Sequence, residues 1–295
     1  MPDYSGNILI GVDVGGTKIM AGATDCDGQV IGDPVSVKTS GNDPAEEIFE
    51  RIAGSVEQVL KRHSIKEIRG IGMGVTGPLD LEKGLILECP QLPTMHYFPL
   101  KKRIEDRFGL RVVMDNDANA LLLGESIWGA GRGHRIVLGY TLGTGLGCAL
   151  VIDRKLFTGT NGMACEVWPS PDGEMMIEET ISGNGVSRVY AQFTGEFVSS
   201  AVVAERALNG DRHAIETWNR FGMKMADAIA WGINMTDPGI VILGGSISNS
   251  FELFSKSMEE RLLRFICPVP ASRTKIVKAE LGDRSGFIGS AALLL

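Results

Sequence analysis

The stretch ILIGVDVGGTKIMAGAT, residues 8–24, reads as an apolar strand, a turn at Gly15-Gly16, and a second strand. A glycine turn at the end of a buried strand offers backbone N–H groups with no side chain in front of them, the local chemistry of a phosphate cradle. Thr17 and Lys18 add a hydroxyl and a positive charge to the turn. Asp13, two residues before it, faces the same turn as a candidate holder of a metal-bound water. The spacing is not that of a Walker loop, which needs GxxxxGK followed by Ser or Thr. Asp27-Gly28 marks a hairpin turn into a third strand, residues 29–36.

The pattern restarts further along the chain. IVLGYTLGTGLGCALVI, residues 136–152, is again strand, glycine turn (Gly143-Thr144-Gly145) and strand, followed by a hairpin turn at Asp153-Arg154. An offset of 128 residues places Gly11 on Gly139, Asp13 on Thr141, Gly15 on Gly143 and Asp25 on Asp153. A shared order of strand, glycine turn, strand and hairpin implies an internal duplication, hence two similar lobes facing each other. Between the copies, Asp43-Pro44 opens a helix, with Asp43 as its cap and Glu46 and Glu47 at its positive end. Residues 68–75 form a buried strand ending in Thr76-Gly77-Pro78. A helix at 100–108 and a strand at 110–114 lead into DNDAN, 115–119, and a helix to Trp128. After the second copy come helical patterns at 202–207 and 211–235. A strand at 239–243 runs into Gly244-Gly245, and then follow a helix, a strand and a closing helix from Ser285. The lobes are drawn as 1–115 plus 283–295 for a small N-terminal lobe and 116–282 for a large C-terminal one. No low-complexity linker separates them, so the crossings are expected to be ordered and suited to hinge closure over a cleft.

Bulk composition excludes several classes. Of 295 residues, 22% are charged and 44% hydrophobic, the balance of a globular enzyme. A net charge of -7 argues against a nucleic-acid partner, which calls for clustered basic residues. No run approaches the ~20 apolar residues of a membrane helix, and no basic segment with a long apolar run opens the chain; a cytoplasmic location is expected. Five cysteines (Cys26, Cys89, Cys148, Cys165, Cys267) contain no C-x-x-C pair and read as reduced thiols, not as a zinc site. His63, His96, His134 and His213 lack ligand spacing and read as surface or packing residues.

Taken together, DVGGTK (13–18), GMGVTGP (72–78), DNDAN (115–119), LGTGLG (142–147), DPGIVILGG (237–245) and GDRSGFIGSAA (282–292) resemble the ROK family (repressors, open reading frames, kinases) over residues 8–294. The resemblance implies an α/β, two-lobed actin-like ATPase fold of the duplicated ribonuclease H-like kind, with ATP and sugar in the interlobe cleft. It implies ATP and Mg2+ as cofactors, and suggests a homodimer. ATP would be held by Asp13, Gly15, Gly16, Thr17, Lys18, Gly143, Thr144 and Gly145, with Gly244 and Gly245 leaving bare backbone for a purine. Asp117 matches the catalytic Asp that accepts the sugar hydroxyl proton as the oxygen attacks phosphorus. On its own, DNDAN reads equally well as a helix cap. Asn116, Gly77, Glu166 and Glu178 match sugar-side positions.

Two departures stand out. Pro169 occupies the place of a family histidine that binds sugar and zinc, and the cysteine cluster that normally follows is missing, so no structural zinc is expected. A short polar connection, 170–177, stands there instead, and Gln91 replaces the usual Asn of a substrate-side loop. Trp168 reads as a core residue or as a platform for an apolar sugar face. The phosphate half is kept and the sugar half altered, which points to a working kinase for glucose or another unmodified hexose, with an N-acetylated hexosamine open. The alternative is a non-catalytic sugar- or nucleotide-binding regulator; the family's repressors carry an added helix-turn-helix for which residues before Ile8 leave no room. A phosphotransferase of small carboxylates is disfavoured, because Glu166 and Glu178 would repel an anionic substrate.

Overall fold

Ile8–Val14 (β1), Lys18–Thr24 (β2) and Val30–Lys38 (β3) run as an antiparallel meander, and Ile68–Val75 (β4) and Val112–Asn116 (β5) continue the sheet parallel to β1. The strand order is β3-β2-β1-β4-β5. Parallel neighbours need crossovers, and helices α1 (Ala45–Leu60) and α2 (Leu100–Phe108) supply them. Helix α1 buries Ile48, Phe49, Ile52, Val56 and Val59 on one face, the stripe its periodicity dictates. These coordinates, a computed structural model, describe residues 6–295.

The second sheet repeats the plan. Strands β6 (Ile136–Leu142), β7 (Leu146–Ile152) and β8 (Lys155–Leu156) form the meander, β9 (Ile240–Gly244) and β10 (Lys275–Lys278) the parallel part, in the order β8-β7-β6-β9-β10. Strands β6 and β7 begin 128 residues after β1 and β2, the offset read from the sequence. Helices α4 (Gly183–Thr194), α5 (Ser200–Leu208) and α6 (Arg212–Thr236) lie between β8 and β9, and α7 (Phe251–Leu262) and α8 (Pro268–Arg273) between β9 and β10. Trp218 and Phe221 of α6 and Phe254 of α7 stack and edge-pack in this unit's core. Two sheets of this order make the duplicated ribonuclease H-like, actin-like ATPase fold.

Contacts divide the chain into one unit running to Arg132 and resuming at Glu280–Leu295, and a second of Gly133–Ala279. The sequence boundary at 115 fell before α3 (Asp117–Trp128), but α3 stays with the first unit because the closing helix α9 (Ser285–Ala292) packs on it. The fit is tight: a Cβ at Gly124 would lie 2.6 Å from the Gly289 Cα. Helix α9 also lies directly on the sheet, where a Cβ at Gly11 of β1 would overlap the Phe287 carbonyl, and one at Gly72 of β4 the Ser290 carbonyl. The Ser290 hydroxyl accepts from the Gly74 N–H (2.9 Å) and donates to the Gly286 carbonyl (2.7 Å). Fully buried Glu125 fastens the segments by which the chain leaves and re-enters this unit, accepting the N–H groups of Ala130 (2.9 Å), Glu280 (3.1 Å) and Leu281 (2.8 Å). Three amide donors compensate a carboxylate that burial would otherwise penalise heavily.

Two local readings are corrected, and one helix is added. Asp43 does not cap α1: its carboxylate is taken by Arg51, and Pro44 stands at the N-cap without a side-chain bond. The stretch 170–177 is no plain connection, since Pro171–Asp172 and Met175–Met176 pair as a small hairpin around Gly173 at φ +66°. Helix α4 goes unread in the sequence, because Gly183 and Gly185 in its first turn hide its pattern.

The close approach of α9 sets opposite signs for two glycine-to-alanine changes. Gly72→Ala should destabilise by about 1–3 kcal/mol or more, as overpacking does. Gly54→Ala, on α1 with nothing within 4 Å of the new Cβ, should stabilise by roughly 0.5–1 kcal/mol. Urea unfolding of both variants checks the pair.

Candidate active site

In the first unit the strand register brings the candidate residues together. Asp13 pairs with Gly74, and Gly74 with Asp115; Val14 pairs with Val75, and Val75 with Asn116. The carboxyl ends of β1, β4 and β5 therefore deliver Asp13 with Gly15-Gly16, Thr76-Gly77, and Asn116-Asp117 to one edge of the sheet, where open α/β sheets bind ligands. A Cβ on Gly77 would sit 3.1 Å from the Asn116 Nδ2, a tight contact that would push the amide by a few tenths of an ångström. Asn116 is the N-cap of α3: its Oδ1 and the Asp117 Oδ1 both accept the Ala118 N–H at 2.8 Å. The DNDAN segment thus does cap a helix, and the cap uses only one oxygen of Asp117. Asp115, which sequence reasoning did not single out, is buried beneath them. Its Oδ1 accepts from the Asn119 Nδ2 (2.8 Å) and the Asn116 N–H (2.7 Å), fixing the segment's shape. The signal was an Asp in the last turnless positions of a buried strand.

The first glycine turn is braced from below. The Gly15 N–H donates to the Lys18 carbonyl (3.0 Å), and buried Thr39 gives its hydroxyl to the Gly15 carbonyl (2.6 Å) and its N–H to the Thr17 carbonyl (2.9 Å). Thr17 and Lys18 are exposed at the turn. Gln91 lies against it, the Gln91 Cβ only 2.6 Å from where a Gly16 Cβ would be.

Electrostatics mark two carboxyls. Burial pushes Asp13 up to about 7, the nearby charge of Asp117 adds to this, and Lys18 opposes it. Burial also raises Asp117, while the amide bonds at the start of α3 hold it down. Asp13 packs on Gly286 at the start of α9, where any Cβ would strike its carboxylate. Two carboxyls held above the usual range favour a bound proton or a cation nearby. Among the described residues no cluster of three or more His, Cys, Asp or Glu is placed to hold a metal ion.

In the second unit the two glycine turns are neighbours at the ends of β6 and β9, which pair Thr141 with Gly244. The Gly143 N–H donates to the Gly145 carbonyl (3.0 Å), and the Gly183 N–H at the start of α4 to the Gly143 carbonyl (2.8 Å), leaving Thr144 exposed at the apex. Gly245 has φ +80° and backs onto Leu142. Glu178 lies on this turn: its Oε2 accepts the Leu146 N–H at 2.8 Å. Glu166 sits half-buried beside the hydrogen-bonded thiols of Cys148 and Cys165, both of which feel its charge. Trp168 is exposed, not a core residue, and its carbonyl accepts the Glu178 N–H (3.3 Å). All five cysteines are free thiols, and no helix among the described residues is long and apolar enough to cross a membrane.

A model described as the ROK family matches residues 9–295. The chain is 31% identical to a glucokinase of Thermotoga maritima, over 97% of this chain and 96% of that protein. It is 31% identical to an N-acetyl-D-glucosamine kinase of Photobacterium profundum, over 96% and 98% respectively. A ROK family glucokinase from Streptomyces griseus, solved in complex with glucose and AMPPNP, superimposes with a TM-score of 0.84 at 30% identity, over 97% of this chain and 98% of that one.

The raised Asp13 carboxyl carries a pH signature. A folded-state value near 7 against an ordinary 3.8 means that the folded protein binds a proton the unfolded chain has released, so stability falls as pH rises through that window. Asp13→Asn should remove this decline. Its melting temperature relative to wild type is expected to rise from pH 4 to pH 7 in ligand-free thermal unfolding.

Proposed function

The chain belongs to the ROK family, and from that premise we propose that it is an ATP-dependent sugar kinase acting on a hexose, with Asp117 as the general base. The observation that carries this reading is the convergence of Asp13, the Gly15-Gly16 turn, Gly77, Asn116 and Asp117 at one edge of the first sheet. Phosphoryl transfer demands alignment, neutralised charge and an acceptor for the hydroxyl proton, and little else from a protein.

Each residue has a role under this reading. Asp117 takes the hydroxyl proton on the oxygen that the helix cap does not use, and its raised proton affinity improves it as a base once ionised. Asn116 holds a neighbouring hydroxyl through its Nδ2, its Oδ1 being committed to the cap. Glu166 and Glu178 accept further hydroxyls, and Gly77 gives the sugar a wall of backbone. Thr17, Lys18 and the amides of Gly15 and Gly16 meet phosphate oxygens, as do Gly143, Thr144 and Gly145, while Gly244 and Gly245 leave room for the purine. Mg2+ carried by the phosphates would neutralise charge in the transfer, and Asp13 is the residue to hold it through water.

The sugar itself is narrowed by what is missing. Pro169 offers neither a donor nor an acceptor side chain where the ROK resemblance implies a His, so one hydroxyl would lose a partner. Glucose is the first candidate and N-acetyl-D-glucosamine the second, the two substrates named for the relatives above.

The test is ADP release from ATP and Mg2+ across hexoses, N-acetylhexosamines and a sugar-free blank. Sugar-dependent turnover is expected, and Asp117→Asn should lower kcat by about 10²–10⁴-fold with sugar binding little changed. Nucleotide binding with no sugar able to stimulate release would overturn the kinase reading in favour of a regulator.

A further inference from the structure

Glu178 enters the reading above as a sugar contact, yet its observed bond is to the other ligand's side. The Oε2 atom accepts the Leu146 N–H at 2.8 Å, directly after the Gly143-Thr144-Gly145 turn. A Cβ at Gly145 would come within 2.5 Å of that same oxygen, so glycine is what lets the carboxylate reach the turn. Glu178 is itself fixed by its main chain, its N–H donating to the Trp168 carbonyl, and it stands in the short 3₁₀ turn (Ile177–Glu179) ahead of α4. Helix α4 then returns to the turn, through the Gly183 N–H on the Gly143 carbonyl. One short segment, 178–183, thus grips the turn at both ends.

A turn containing two glycines has many backbone states, and it offers its amides to a phosphate only in a few of them. A hydrogen bond to a backbone N–H next to the turn restrains such a segment. Fixing the turn before the ligand arrives removes an ordering cost from binding. The same carboxylate also brings negative charge close to where phosphates would lie, which opposes binding. The bond to Leu146 favours restraint as the larger effect.

We propose that Glu178 is a positioning residue for the nucleotide: it holds the Gly143-Thr144-Gly145 turn in its phosphate-binding shape, independently of any sugar. This rests on the kinase reading.

Two variants separate the bond from the charge. Glu178→Asp keeps the charge but is one methylene short of the Leu146 amide; Glu178→Gln loses the charge but keeps an oxygen to accept that N–H. Calorimetric titration with AMPPNP and Mg2+, with no sugar present, reads the effect directly. Melting temperatures are measured alongside, to confirm that both variants are folded. The Kd for AMPPNP is expected to rise at least about fivefold in Glu178→Asp and to stay within about twofold of wild type in Glu178→Gln. Both variants binding AMPPNP like wild type, or more tightly, would overturn the proposal and leave Glu178 a sugar contact alone. Equal weakening in both would also overturn it. Wild type failing to bind AMPPNP at all would instead bring down the kinase reading itself.

Discussion

Helix α9 rests on the first sheet with backbone against backbone, and the geometry of the candidate site follows from that contact. Ordinary helix-on-sheet packing is kept apart by side chains on both surfaces. Here Gly11 and Gly72 remove them from the sheet, and the Phe287 and Ser290 carbonyls occupy the space. The unusual closeness lets the Ser290 hydroxyl reach the Gly74 amide, and sets Gly286 against the carboxylate of Asp13. Helix α3 is drawn in by the same helix through the Gly124–Gly289 contact, which fixes where its first residue, Asp117, stands. Since α9 comes from the end of the chain and β1 from its beginning, the site forms only when both termini of the described fold have found each other. Glu125 secures that arrangement by accepting amides from both segments that enter and leave the unit.

That packing also explains the electrostatics. Asp13 and Asp117 are brought near enough for each to feel burial, and for Asp13 to feel the charge of Asp117, with Lys18 the counterweight on the turn. Carboxyls raised in this way mark functional sites, and Asp13 lowers stability as the pH rises toward neutrality.

Much of this was legible in the sequence, and for identifiable reasons. The 128-residue offset between IVLGYTLGTG and ILIGVDVGGT was visible because glycine turns and strand alternation leave strong local marks. Gly77, Asn116 and Asp117 could be placed at strand ends because strands stop at such residues. What escaped were features made by distant partners. Asp43 reads locally as a cap, but Arg51, two helical turns on, takes its carboxylate. Glu125 looks like an ordinary helix residue until residues 280 and 281 return to it. Glu178 was assigned to the sugar by resemblance, and nothing local announces its bond to Leu146. The boundary at 115 missed α3 because the partner that holds α3 lies in the last helix.

The most direct measurement is a crystal structure of the protein with glucose and AMPPNP. Asp117 is expected to place its uncommitted oxygen within about 2.6–3.2 Å of one sugar hydroxyl, with that hydroxyl aimed at the terminal phosphate. A sugar bound with Asp117 engaged only in the cap of α3, and no hydroxyl within reach, would contradict its role as the base.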